Sequence, residues 1–156
     1  KKYVLVLFTG DDFEIKLILD FLNSKKFKNF NFLFRMHPMN NFELKKFYLY
    51  NNYKIVNDKK IDELMKYNIT KVITGYSGMA VEFHQKKFDI GLIANKKKIF
   101  LNPFDDLNIL NYKIVYSSRD LLNFLVHKPS EKKKEHEGKI FNLKERDYDS
   151  FYKCFK

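Results

Sequence analysis

Lys71–Ala94 reads KVITGYSGMAVEFHQKKFDIGLIA, and the order of residue types in it decides the fold. Val72, Ile73 and Thr74 are β-branched and suit a short strand covered on both faces. Gly75-Tyr76-Ser77-Gly78 stops that strand, Met79–Lys87 reads as a helix, and Asp89–Ala94 (DIGLIA) is a second apolar strand. A strand, a glycine-bearing turn, a helix and another strand make a βαβ unit, whose two strands lie parallel.

The alternation continues in both directions. Upstream lie a strand at Val4–Phe8 (VLVLF) and a helix carrying Ile15, Leu17, Ile18, Leu19, Phe21 and Leu22 on a broad apolar face. A strand at Phe30–Phe34 (FNFLF), a short helix over Glu43–Tyr50 and a strand at Tyr53–Val56 follow, then a helix striped by Ile61, Leu64 and Met65 that ends near Asn68. Downstream come a strand at Lys113–Tyr116 and a helix at Ser118–Val126, with Ser117-Ser118 as its N-cap. This order predicts an α/β fold: a Rossmann-like parallel sheet flanked by helices on both faces. Residues 1–127 carry that pattern. Residues 128–156 open with a charged linker (KPSEKKKEHEG) and close with an aromatic tail, expected to pack on this domain or on another.

Bulk composition narrows the function classes. A length of 156 residues with 45% hydrophobic residues suits one domain with one core, not a disordered chain. The single cysteine, Cys154, has no internal partner, so a reducing, cytoplasmic setting is expected. No run approaches the ~18 uninterrupted apolar residues of a spanning helix. The formal charge of +11 is nearly all lysine, with only Arg35, Arg119 and Arg146 as arginines. Nucleic acid is therefore not expected as a partner, whereas peripheral contact with an anionic inner membrane face is compatible with the charge. His84, His127 and His136 are scattered and Asp105-Asp106 lacks D-x-D spacing, so no essential metal is expected. A start at Lys1 with a strand already at Val4 fits a piece of a longer protein.

In an open parallel sheet, ligands sit beyond the carboxyl ends of the strands. Three post-strand segments carry polar chemistry there. In Arg35-Met36-His37-Pro38, the imidazole can donate to a phosphate, transfer a proton or merely cap a loop carbonyl, and Arg35 adds charge. In Gly75-Tyr76-Ser77-Gly78, the glycines permit close approach of a ligand, and Ser77 stands either as part of an anion site or as a helix N-cap. Glu82, one turn further, can hold ribose hydroxyls or simply be an exposed helical acid. In Thr9-Gly10-Asp11-Asp12, Gly10 can face a pyrophosphate and Asp11 or Asp12 can act as a base. Asp11 with Glu14 also matches a D-x-x-E capping box, which is the favoured reading.

With these motifs in place, Phe32–Ile93 resembles the donor half of GT-B enzymes that build bacterial surface carbohydrates, such as capsule or lipooligosaccharide. The R-M-H-P and S-G elements resemble the His-Pro and serine motifs of bacterial sialyltransferases. Ile73-Thr74-Gly75-Tyr76-Ser77 is similar to the T-D-Y-S-S element of CDP-glycerol glycerophosphotransferases, with Gly75 in place of the acid and Gly78 in place of the second serine. The spacing of Ser77, Gly78 and Glu82 is also similar to that of UDP-GlcNAc 2-epimerases. The resemblance implies a glycosyltransferase donor domain, with a CMP- or CDP-linked sugar as substrate and a glycan or lipid-linked acceptor bound by a separate N-terminal domain. It implies His37 as the catalytic group at the nucleotide phosphate, with Gly10, Arg35, Pro38, Tyr76, Ser77, Gly78 and Glu82 binding the donor. Sialyltransferases carry an acidic pair next to a glycine that supplies the base; Gly10-Asp11-Asp12 has those residues in the reverse order. The other expectations left open are a polyol-phosphate transferase, a UDP-sugar epimerase-like domain, and a non-catalytic basic binding module of the same fold.

Overall fold

A computed structural model describes residues 1–40, 42–44, 47, 49–57, 59–96, 102, 104 and 112–127. The chain runs β1 (Tyr3–Leu7), α1 (Asp12–Leu22), a 3-10 turn (Lys25–Phe27), β2 (Asn31–Arg35), β3 (Asn52–Ile55), α2 (Ile61–Leu64), β4 (Ile69–Thr74), α3 (Met79–Gln85), β5 (Asp89–Ile93), β6 (Tyr112–Val115) and α4 (Ser118–Val126). All strand pairs are parallel, and the sheet order is β3-β2-β1-β4-β5-β6. This is the Rossmann-like sheet that the alternation predicts.

The continuous apolar strands are explained by burial on both faces. Along β1, Val4 and Val6 point to one side and Leu5 and Leu7 to the other, because side chains alternate along a strand. On the first side they meet Ile15, Ile18, Leu19 and Leu22 of α1, and Leu121, Phe124 and Leu125 of α4. On the second side they meet Leu64 of α2 and Ala80 and Phe83 of α3. Each of these layers excludes water from one face of the sheet, the dominant favourable term in folding.

Several boundaries differ from expectation. The helix from Ile61 ends at Leu64, not near Asn68, and β4 begins at Ile69. Ile69 and Thr70 are β-branched; Ile69 pairs with Tyr3 and the Thr70 hydroxyl donates to the Tyr3 carbonyl at 3.1 Å, so the sheet claims them. The short helix expected over Glu43–Tyr50 lies in part outside the described residues; those described there make turn bonds, from Leu44 N–H to the Phe42 carbonyl and from Phe47 N–H to the Leu44 carbonyl. The 128–156 segment, with Cys154, and the Asp105-Asp106 pair also lie outside the described residues. Among the described residues no helix is long and apolar enough to cross a membrane.

Gly91 in β5 lies under α4, where an added Cβ would stand 2.8 Å from Cε1 of Phe124. Gly91→Ala is expected to cost about 1–3 kcal/mol by overpacking. Urea unfolding checks this, and a loss below half a kcal/mol, about the noise of a neutral surface change, would show that α4 rides loosely on the sheet.

Candidate functional site

Strand order reverses between β1 and β4, so the chain leaves β1 into α1 on one face of the sheet and leaves β4 into α3 on the other. The two connections diverge and leave a cleft at the carboxyl ends of the strands. Its volume is about 400 Å³. Thr9 and Gly10 line it from the β1 side, Arg35 to Pro38 from the β2 side, and Tyr76 to Met79 with Glu82 from the β4 side. Gly10, Arg35, His37, Pro38, Tyr76, Ser77, Gly78 and Glu82, drawn from three separate segments, therefore share one cavity.

His37 is exposed at the rim. Its Nδ1 accepts from the Met39 N–H at 3.3 Å, and its carbonyl accepts from the Asn40 N–H at 2.9 Å. A ring nitrogen that accepts carries no proton, so in the neutral imidazole the proton sits on Nε2. The loop thus holds the ring in the tautomer that presents an N–H donor. Arg35 ends β2, and its guanidinium lies against the Met79 thioether. Sulfur is a weak acceptor, so most of the five guanidinium donors are uncommitted among the described residues.

Ser77 is not the N-cap of α3. Gly78 holds that position with helical backbone angles (φ −58°, ψ −28°), and the helix starts on short bonds from Ala80 N–H to the Ser77 carbonyl and from Val81 N–H to the Gly78 carbonyl. The Ser77 hydroxyl, half-buried on the cleft, makes no hydrogen bond among the described residues. Gly78 and Gly10 both have ordinary negative φ, a Cβ on Gly78 would meet nothing, and one on Gly10 would come no closer than 3.7 Å to His37. Neither the backbone nor packing within the chain demands glycine at these two positions, so what their missing side chains leave clear is the cleft.

Gly75 is different and corrects the expectation that it faces a ligand. A Cβ there would fall 2.0 Å from Cδ of Glu14. The missing side chain makes room for a carboxyl group, not for a bound molecule. Asp11 does cap α1, accepting from the Phe13 N–H at 2.8 Å, but Glu14 does not complete the box. Its side chain turns inward and is 5% exposed, and no donor meets either oxygen at good hydrogen-bond geometry, although the Thr9 hydroxyl and the Gly75 and Tyr76 amides lie near. Burial pushes its carboxyl from the ordinary 4.5 up to about 7, with the Asp11 carboxylate adding to the rise; the Thr9 hydroxyl and the amides of Tyr76 and Gly75 oppose it only in part. Burial also raises the Tyr76 phenol, helped by Glu14 and Asp11.

Asp11 and Asp12, the alternative candidates for a base, do not line the cleft. Asp11 is committed to the cap, and Asp12 accepts from the Asn40 side-chain amide at 3.2 Å, which also donates to the Gly10 carbonyl. Glu14 does carry a sequence signal for its inward turn. It lies on the α1 stripe with Ile18 and Leu22 at helical i+4 and i+8 spacing, and a carboxyl on an apolar stripe needs an explanation. Among the described residues no group of three His, Cys, Asp or Glu side chains is placed to hold a metal ion. No protein family, no curated protein and no solved structure matches this chain.

Proposed function

We propose that this chain is the donor-binding domain of a GT-B type glycosyltransferase that takes a sugar from a nucleotide, CMP favoured, for transfer to a glycan or lipid-linked acceptor held by a second domain. The observation that carries this reading is the convergence of the R-M-H-P and G-Y-S-G residues on one cleft at the point where strand order reverses. Three donors line that cleft: the Nε2–H of His37, the guanidinium of Arg35 and the hydroxyl of Ser77 border a space about the size of a nucleotide phosphate and its sugar. A departing nucleotide gains negative charge, and donors already in position stabilise it without reorganisation. In this reading the exposed Glu82 carboxylate at the rim accepts from ribose hydroxyls, and the glycines at 10 and 78 keep the approach open.

Calorimetric titration with CMP, CDP, UMP and UDP tests this. Cytidine nucleotides are expected to bind, and His37→Ala or Ser77→Ala to weaken them about tenfold to a hundredfold, the worth of one hydrogen bond to a charged group. Uridine preference would move the reading to an epimerase-like domain. Absence of binding by all four, or binding indifferent to both substitutions, would leave a non-catalytic module of this fold. Donor binding with little or no transfer is expected of the isolated chain, and full transferase activity from it would overturn the two-domain reading.

A further inference from the structure

Of the described side chains, only Glu14 and Asn51 keep buried polar atoms with no well-formed hydrogen bond, and of the two only Glu14 is ionisable; the Thr9 hydroxyl and the Gly75 and Tyr76 amides lie near its carboxyl and offset its burial only in part. Native structures rarely leave a carboxyl in that condition without a use. Its position suggests one. The carboxyl occupies the hole left by Gly75, directly under the Gly75–Gly78 turn, and the side chains above and beside it, Tyr76 and Thr9, are themselves walls of the cleft. One layer of residues therefore separates Glu14 from the cavity in which the phosphate of the proposed donor would lie.

We propose that Glu14 is the proton-loading group of this cleft: when an anionic phosphate enters, a proton is drawn onto the Glu14 carboxyl, so that phosphate and proton bind together. This rests on the reading of the cleft as a phosphate site. Two negative charges separated by one residue layer, one of them 5% exposed, repel strongly, and the carboxyl can shed its charge by taking a proton from solvent. The neighbouring groups favour that outcome. Asp11, from the same turn, is a second anion acting on Glu14, and Tyr76, from the β4 turn, is neutral. No Lys, Arg or His is among the groups acting on Glu14 among the described residues. Arg35 and His37 stand on the β2 side of the cleft, where they meet the ligand. At the start of α4, which packs on α1, the Asp120 carboxylate is held by Ser117 and the Tyr116 N–H, and Arg119 lies beside it in the chain. Burial already brings Glu14 close to its protonation threshold at neutral pH, so only a modest push is needed.

The test is calorimetry of CDP and of inorganic pyrophosphate binding at pH 7.5 in buffers of differing ionisation enthalpy, on the wild type and on Glu14→Gln. The wild type is expected to take up about half a proton or more than the variant does, and its affinity to fall about fivefold or more relative to the variant between pH 7 and pH 8.5. Proton uptake by the ligand or by any other group is common to both proteins and cancels in the difference. If Glu14→Gln does not fold, the carboxyl carbon of Glu14 in isotopically labelled wild type serves instead; its titration is expected to move to higher pH when pyrophosphate is added. CDP binding with equal proton uptake in both proteins, or a carboxyl signal indifferent to pyrophosphate, overturns the inference and leaves the nucleotide reading intact. Pyrophosphate binding with uptake at Glu14, but no nucleotide binding, supports the inference and defeats the nucleotide reading. Binding of neither ligand defeats both.

Discussion

Replacing Glu14 by Gln is expected to stabilise the ligand-free protein progressively as pH rises, by about 2–3 kcal/mol more at pH 8 than at pH 5. The folded state holds its proton up to about pH 7, whereas the unfolded chain releases it near 4.5. Between those values the unfolded state gains from ionisation that the folded state cannot share, so wild-type stability drains away as pH climbs from 4.5 through 7. Below 4.5 both states are protonated and nothing is lost; above 7 both are ionised and the penalty is constant. Gln has nearly the same shape and no such window. Any fixed cost of its amide is the same at both pH values and drops out of the comparison. For a domain of this size the change amounts to roughly 5–10 °C in Tm. Paired urea melts at pH 5 and pH 8 measure it. A difference between variant and wild type that stays flat with pH would mean that Glu14 is solvated in the folded protein, and the burial argument would fall.

Lys71→Met is expected to cost about 3–5 kcal/mol, the usual range for breaking a buried pair. Lys71 sits in the middle of the sheet on β4, 4% exposed, at a position that reads only as part of a strand. Its ammonium donates to the carbonyls of Phe124 and His127 (2.8 Å for the latter), lies over the Phe124 ring, and faces the Asp89 carboxylate at 3.8 Å. The last carbonyls of a helix have no partner within the helix, and a cation there meets both that need and the negative end of the helix dipole. Met keeps the length of the stem and removes the charge, leaving two carbonyls and Asp89 without their cation. Beyond the loss of stability, amide exchange is expected to accelerate in the last turn of α4. A cost under about 1 kcal/mol, the range of an exposed pair, would show that water replaces the ammonium there.

The two residues illustrate how unevenly the sequence speaks. The strand at Lys71–Thr74 was legible from three β-branched residues in a row, and α4 from its stripe and its serine cap, which the structure realises as the Ser117 hydroxyl accepting from Asp120 N–H at 3.1 Å. Such signals are local: they depend on residues a few positions apart, whose side chains share a face or a turn. Neither the tie from Lys71 to α4, 53 and 56 residues away, nor the fit of Glu14 into the space at Gly75 has a local signature. Each is a contact between side chain and backbone far apart in the chain, and the second one overturns the capping-box reading. The D-x-x-E motif suggested a surface box because Glu at that position normally reaches back to the N-cap; here the apolar stripe of α1 carries it inward before it can do so.

The cleft divides in the same way. His37 and Ser77 stand out in the sequence because they follow buried strands of a parallel sheet, where a site would be built, and Glu82 because it lies on the helix that opens there. The sequence by itself therefore determined the alternation of strands and helices, the parallel sheet they require and the loops on which a site would be built, since all of these follow from short-range periodicity and backbone preference. Only the tertiary structure decided that β1 and β4 are neighbours with their connections diverging, that three loops therefore face one cavity, that Asp11 and Asp12 are committed outside it, and that a carboxyl lies sealed beneath it. Those outcomes depend on strand order and on packing between distant segments, which local residue patterns do not encode.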